Sequence, residues 1–114
     1  MDKPDHEWQR KGATLSDKTA RKEFGLTQDE IIQAIRAGRL QYRRASMHGN
    51  PYLRLLRREV EVLVKKEHGD AFLEDQKAKT ELSRVNRELK RLKAQIVALE
   101  ERKATLIDEL GRRR

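Results

Sequence analysis

Between Ile35 and Arg58 the chain places seven arginines (Arg36, Arg39, Arg43, Arg44, Arg54, Arg57 and Arg58) with no lysine and no acidic residue. A guanidinium offers a planar fork of donors that bonds phosphate or guanine in two places, which an ammonium cannot do. The chemistry suggested is recognition of a polyanion. Counting by segment sharpens this: residues 1 to 30 carry −1, residues 31 to 58 carry +7, residues 59 to 69 carry −1 and residues 70 to 114 carry +3, which together make the net +8. Such clustering is the electrostatic footprint of a nucleic-acid-binding surface. Catalysis has little support. His6, His48 and His68 are scattered at no metal-ligand spacing, there is no glycine-rich phosphate loop, and the absence of cysteine excludes a thiolate zinc site, a disulfide framework and a cysteine nucleophile. We expect no enzyme, no cofactor and no metal.

The elements that must carry these arginines are marked by glycines, which fall where the apolar pattern changes. Ser16 is a candidate N-cap for a short first helix that ends at Phe24-Gly25. Thr27-Gln28-Asp29-Glu30 has the form of a capping box and opens a second helix with apolar Ile31, Ile32, Ala34 and Ile35, ended by Gly38. Two short helices joined by Gly25-Leu26 have the shape of a helix-turn-helix. Leu40 to Ala45 alternates as a strand, Ser46 to Pro51 is turn chemistry, and Tyr52 to Leu55 returns, which together make a β-hairpin wing. A third helix follows from about Arg57 to His68, with Val60, Leu63 and Val64 on one face, and stops at Gly69. The fold expected is mainly α: a small winged helix-turn-helix domain over residues 16–69 with a β-hairpin wing, followed by a long C-terminal coiled-coil helix over 70–114. Residues 1–15 read as a polar N-terminal arm, disordered or locally packed, with no role for Trp8. With an apolar fraction of 36% and five aromatics, the core must be small.

The strongest periodicity lies near the C-terminus. Ala78, Leu82, Val85, Leu89, Leu92, Ile96, Leu99, Lys103, Leu106 and Leu110 are spaced alternately by four and three, with Leu82, Leu89, Ile96, Lys103 and Leu110 at heptad position a and the others at d. Asp70 suits the N-cap, and Arg112, Arg113 and Arg114 suit the negative end of the helix dipole. A single apolar stripe of this length needs a partner helix, and Leu82, Val85, Leu89, Leu92, Ile96, Leu99, Leu106 and Leu110 are the expected dimerisation residues of a homodimer. Glu88 at g would attract Lys93 at e of a parallel partner. Antiparallel pairing, a trimer and a heterologous partner stay open at this point.

The run Arg21 to Leu40, with its Gly-Leu-Thr turn at 25–27 and Gly-Arg-Leu at 38–40, resembles the helix-turn-helix of MerR- and excisionase-type winged helices. Residues 50–69, with Tyr52-Leu53, the valine-bearing helix and the Lys-x-x-Gly end at Lys66 to Gly69, are similar to the C-terminal part of the DNA-binding domain of the xeroderma pigmentosum group A family. Together these cover about half the chain. They imply binding of double-stranded DNA by the second helix and the hairpin. The four-cysteine zinc module of the repair family has no counterpart here, and neither damage recognition nor ligand sensing is implied.

On that reading Arg36, Arg39, Arg43, Arg44 and Arg54 contact phosphates, with His48 at the wing tip. Gln28 and Gln33, with Arg36, project from the second helix towards base edges, although Asp29 and Glu30 would repel phosphates at its N-terminal end. Arg57 and Arg58 begin the third helix and are set aside as structural, and Tyr42 and Tyr52 read as core at their hairpin spacing. The expected protein is a dimeric double-stranded-DNA binder with a regulatory or DNA-handling role. The rival is a coiled-coil assembly or adaptor protein whose basic patch meets an acidic protein. A polar N-terminus and the lack of an 18-residue apolar run suggest an intracellular location, cytoplasmic or nucleoid-associated, with no membrane partner.

Overall fold

The computed structural model describes residues 4–113. Arg114 and the first three residues of the N-terminal arm lie outside the described residues. The elements run α1 (Pro4–Gln9), β1 (Thr14–Ser16), α2 (Asp17–Phe24), α3 (Gln28–Arg36), β2 (Tyr42–Met47), β3 (Asn50–Leu56), α4 (Arg57–His68) and α5 (Asp70–Arg112). The fold is mainly α, with a three-stranded antiparallel sheet in the order β1-β3-β2 and a long C-terminal helix. The chain divides into two compact units, the first ending at Lys79 and the second starting at Thr80.

Local chemistry accounts for the helix boundaries. Ser16 has extended backbone and its Oγ accepts the Thr19 N–H at 3.0 Å, which starts α2. Gly25 ends it at φ 70°, and its N–H donates to the Arg21 carbonyl. A Cβ at Gly25 would lie 3.3 Å from the Phe72 ring in the first turn of α5, so this position needs glycine for its backbone and for its space. Thr27 and Glu30 form the reciprocal box at the start of α3: Glu30 N–H donates to Thr27 Oγ1 at 3.1 Å and Thr27 N–H to Glu30 Oε1 at 3.0 Å. Asp70 is the first helical residue of α5 rather than its N-cap, and its carboxylate lies 3.7 Å from Lys65 Nζ.

The hairpin is longer and its turn tighter than the sequence suggests. Met47 pairs with Asn50 across a two-residue turn in which His48 (φ 52°) and Gly49 (φ 83°) both take positive φ, the condition of a type I′ connection. Asn50-Pro51 therefore belongs to β3 and not to the turn. Pro51 is tolerated because of parity: the N–H groups of Leu53 and Arg57 point to the β1 side of β3, Pro51 shares that parity, and β1 ends opposite Arg54.

The core of the first unit gathers Leu15 of β1, Ala20 and Phe24 of α2, Leu26 of the turn between α2 and α3, Ile31 and Ala34 of α3, Leu40 of the link to β2, Leu55 of β3, Val60, Leu63 and Val64 of α4, and Leu73 of α5. Ile31, Val60 and Val64 are fully buried, each worth about 1.5–3 kcal/mol of hydrophobic transfer. Leu73 shows why this unit extends beyond Gly69: the first turns of α5 complete its core.

Of the two alternatives for the N-terminal arm, the structure takes the packed one, and it gives Trp8 a role that the sequence did not assign. The arm's described residues form α1 and the start of β1, and Trp8 is 4% exposed. The physical reason is that the hairpin alone leaves one side of β3 and one sheet face open. Thr14, Leu15 and Ser16 pair with Leu56, Leu55 and Arg54, and α1 brings Trp8 beneath the wing arginines. Arg57 N–H closes the junction by donating to the Ala13 carbonyl at 2.8 Å.

The second unit is the remainder of α5. Its ion pairs follow the helix surface, Arg84 with Glu81 at 2.8 Å and Arg112 with Asp108 at 2.7 Å, while Leu82, Val85, Leu89, Leu92, Ile96, Leu99, Leu106 and Leu110 are exposed. No helix among the described residues is long and apolar enough to cross a membrane.

Candidate nucleic-acid interface

Asp17 is the fastening point of the proposed binding elements. One carboxylate oxygen, Oδ1, accepts the Leu53 N–H at 3.2 Å, and the other, Oδ2, accepts from Gln28 Nε2 at 3.1 Å. A single side chain at the start of α2 thus joins the first residue of α3 to the middle of the hairpin. Gln28 is therefore turned inward and half-buried rather than projecting towards base edges, and its Oε1 is buried without a partner. This corrects its assignment as a reading residue. Such an amide serves the α2–α3 junction.

The arginines divide into two groups. Arg54, expected at a phosphate, instead donates from Nη2 to the Trp8 carbonyl at 2.8 Å and to Thr14 Oγ1 at 3.2 Å, and is half-buried. Its strand partner across β2–β3 is Arg43, whose guanidinium lies 4.6 Å from the centre of the Trp8 ring, while that of Arg54 lies 5.9 Å from it. Two like charges directly opposite each other on a sheet repel. The electron-rich indole that both approach offsets that repulsion by cation–π attraction. Arg39 pairs with Glu67, Arg57 with Glu23 at 2.9 Å, and Arg58 with Glu7 through two bonds at 2.8 and 3.0 Å. Arg57 and Arg58 are thus structural, as the sequence suggested, though the partner of Arg58 comes from α1. The Arg58 hydrogen bond holds the Glu7 carboxyl below its usual pKa and raises that of Arg58.

Among the described residues Arg36 on α3 and Arg44 on β2 have no ion-pair partner and are exposed, as are Gln33 and His48. Arg44 lies opposite Leu53, the residue that Asp17 holds, so α3 and the hairpin share one anchored region. Asp29 is exposed near the start of α3. Glu30 is occupied: Thr27 N–H donates to one oxygen and His68 Nε2 sits 2.9 Å from the other. The Thr27 backbone bond, followed by the His68 contact, lowers the Glu30 pKa from its ordinary value of 4.5.

Sequence reasoning missed a second basic group. Lys18 and Arg21 of α2 are exposed, with no ion pair among the described residues, and form one wall of an open groove of about 580 Å³, whose other wall is the wing tip with Met47, His48 and Asn50. The floor is the unpaired edge of β3 at Pro51 and Tyr52. The signal was available: Lys18, Arg21 and Lys22 recur at helical spacing opposite buried Ala20 and Phe24. Tyr42, expected in the core, is 45% exposed at the start of β2, the edge strand of the sheet.

No family model, curated protein or solved structure matches the chain.

Proposed function

We propose that the first unit binds double-stranded DNA, with α3 and the β2–β3 hairpin as the binding elements and α2 as a further backbone contact. The observation that carries this reading is the sorting of the cations. Internal partners occupy Arg39, Arg54, Arg57 and Arg58, whereas Arg36 and Arg44 stay exposed, with no ion pair among the described residues, on two elements that Asp17 fastens together. Lys18 and Arg21 add charge of the same sign across the wing groove. Arg36, Arg44, Lys18 and Arg21 are the phosphate contacts. Gln33 and His48 are placed to touch base edges or sugar, and the scarcity of such groups makes this a binder of modest sequence preference.

Four phosphate contacts per domain give a slope of about −3.6 in log K against log salt for duplex DNA. Titration of a fluorescent random-sequence duplex across a salt series measures that slope. The double substitution Arg36→Glu and Arg44→Glu abolishes the binding. Duplex affinity untouched by that double change, in a protein with native circular dichroism, refutes the assignment of α3 and the wing.

A further inference from the structure

The second unit carries its own unanswered exposure. Leu82 is 60% exposed, Ile96 54% and Leu99 69%, on a helix whose other faces are charged. A run of exposed apolar side chains repeating at four and three over about four heptads is a coiled-coil seam, and water is a poor occupant for it. We infer that this stripe is covered by a second copy of the same chain, lying parallel and in register. This does not depend on what the first unit binds.

Charge and coverage select the alignment. In the parallel in-register pair every a faces a and every d faces d, so Leu82 to Leu110 is covered throughout. Glu88 at g then meets Lys93 at e of the other chain, and Glu81 meets Asn86, Gln95 meets Glu100 and Arg102 meets Ile107, with no like-charge pair at the flanks. The Glu88 carboxylate is already ionised and oriented by Arg91 on its own helix, whose hydrogen bonds lower its pKa. The full-overlap antiparallel alignment, with Leu82 opposite Leu106, brings Glu88 to Arg102 but sets Glu81 against Glu109 and Lys93 against its own copy. An antiparallel alignment shifted by one heptad, with Leu82 opposite Leu99, brings Glu81 to Arg102 but leaves Leu106 and Leu110 uncovered. Only the parallel pair covers the stripe without flanking repulsion.

Lys103 is the register device. At a in two strands its ammonium reaches water beside the seam, whereas a third strand would bury it, so this residue favours a pair. Sliding one chain by a heptad would set Lys103 against Ile96 and Leu110, spreading one polar layer over two.

The chain has no cysteine, so any introduced thiol reports unambiguously. The unmodified protein should sediment at micromolar concentration as twice the 13.4 kDa chain. A monomer or a trimer overturns the inference. In full-length Leu106→Cys, and separately in Leu82→Cys, mild oxidation should convert nearly all of the chain into the cross-linked dimer. If instead neither variant links to itself, while Leu82→Cys links to an affinity-tagged Leu99→Cys or Leu106→Cys chain, the strands are antiparallel and the proposal fails. Circular dichroism of each variant before oxidation establishes that the helix is intact. Lys103→Leu should raise the melting temperature of the dimer and admit higher oligomers, and no change in either overturns the role given to Lys103.

Discussion

Asp17 accepts the backbone N–H of Leu53 across 36 positions of sequence, at 3.2 Å, at the place where β1 ceases to pair with β3. The carboxylate continues the ladder by one bond after the strand has turned into a helix, and its second oxygen holds Gln28. Asp17→Ala strands a part-buried N–H and a half-buried amide together, a cost of about 1–3 kcal/mol per orphaned group. Asp17→Asn should be milder. Its Oδ1 still accepts from Leu53, and rotating the Gln28 amide lets the unpartnered Oε1 accept from the new NH₂. Urea unfolding of both variants checks the order, and equal losses would refute the two-bond account.

Trp8 is the chain's only tryptophan, which makes the docking of α1 directly visible. Trp8→Ala removes a buried aromatic and the ring over which Arg43 and Arg54 both lie, with an expected loss of about 3–5 kcal/mol. In the unaltered protein, tryptophan emission should be blue-shifted and should move red in the same transition that abolishes helical circular dichroism. A red-shifted native spectrum would contradict burial of Trp8.

The two groups of arginines predict different salt behaviour. Arg36→Ala and Arg44→Ala should each weaken duplex binding and reduce the magnitude of the salt slope by about 0.9. Arg39→Ala, whose guanidinium already faces Glu67, should leave the slope unchanged within error and cost a little stability instead. Anisotropy titrations of the three variants at several salt concentrations separate these outcomes. A slope change at Arg39 equal to that at Arg44 would mean that the internal pairing does not persist on DNA.

Glu30 links the α3 cap to acidity. Its pKa in the folded protein lies below the ordinary 4.5, so the ionised form is favoured by folding. The stability that this contributes is complete above 4.5 and is lost as pH falls through the lowered value. Glu30→Gln should therefore be less stable than the parent at pH 7, and the gap should close in acid. Thr27→Ala, which removes the other half of the box, should cost about 1 kcal/mol. Chemical denaturation at neutral and acid pH measures both.

What the sequence made legible was local. Ser16, the Thr27/Glu30 box, the α4 boundaries and the heptad stripe each depend on residues within one or two turns, and all are where their spacing put them. The errors lie where the answer comes from distant partners. Arg54 looks like any wing arginine until Trp8 and Thr14 arrive from the arm. Gln28 looks outward until Asp17 is placed beside it. β1 is three residues long and has no pattern of its own, because its pairing is dictated by the free side of β3. Asn50-Pro51 reads as a turn by composition, whereas His48-Gly49 supplies the reversal.

Pro51 has a further consequence. The edge of β3 that β1 leaves uncovered begins with a residue that has no N–H to give, and the next donor on that side, at Leu53, is taken by Asp17. An extended segment from a neighbouring molecule finds no free donor at these two positions, so strand-by-strand growth into aggregates is blocked here. This stretch of β3 is thus shielded without lengthening β1.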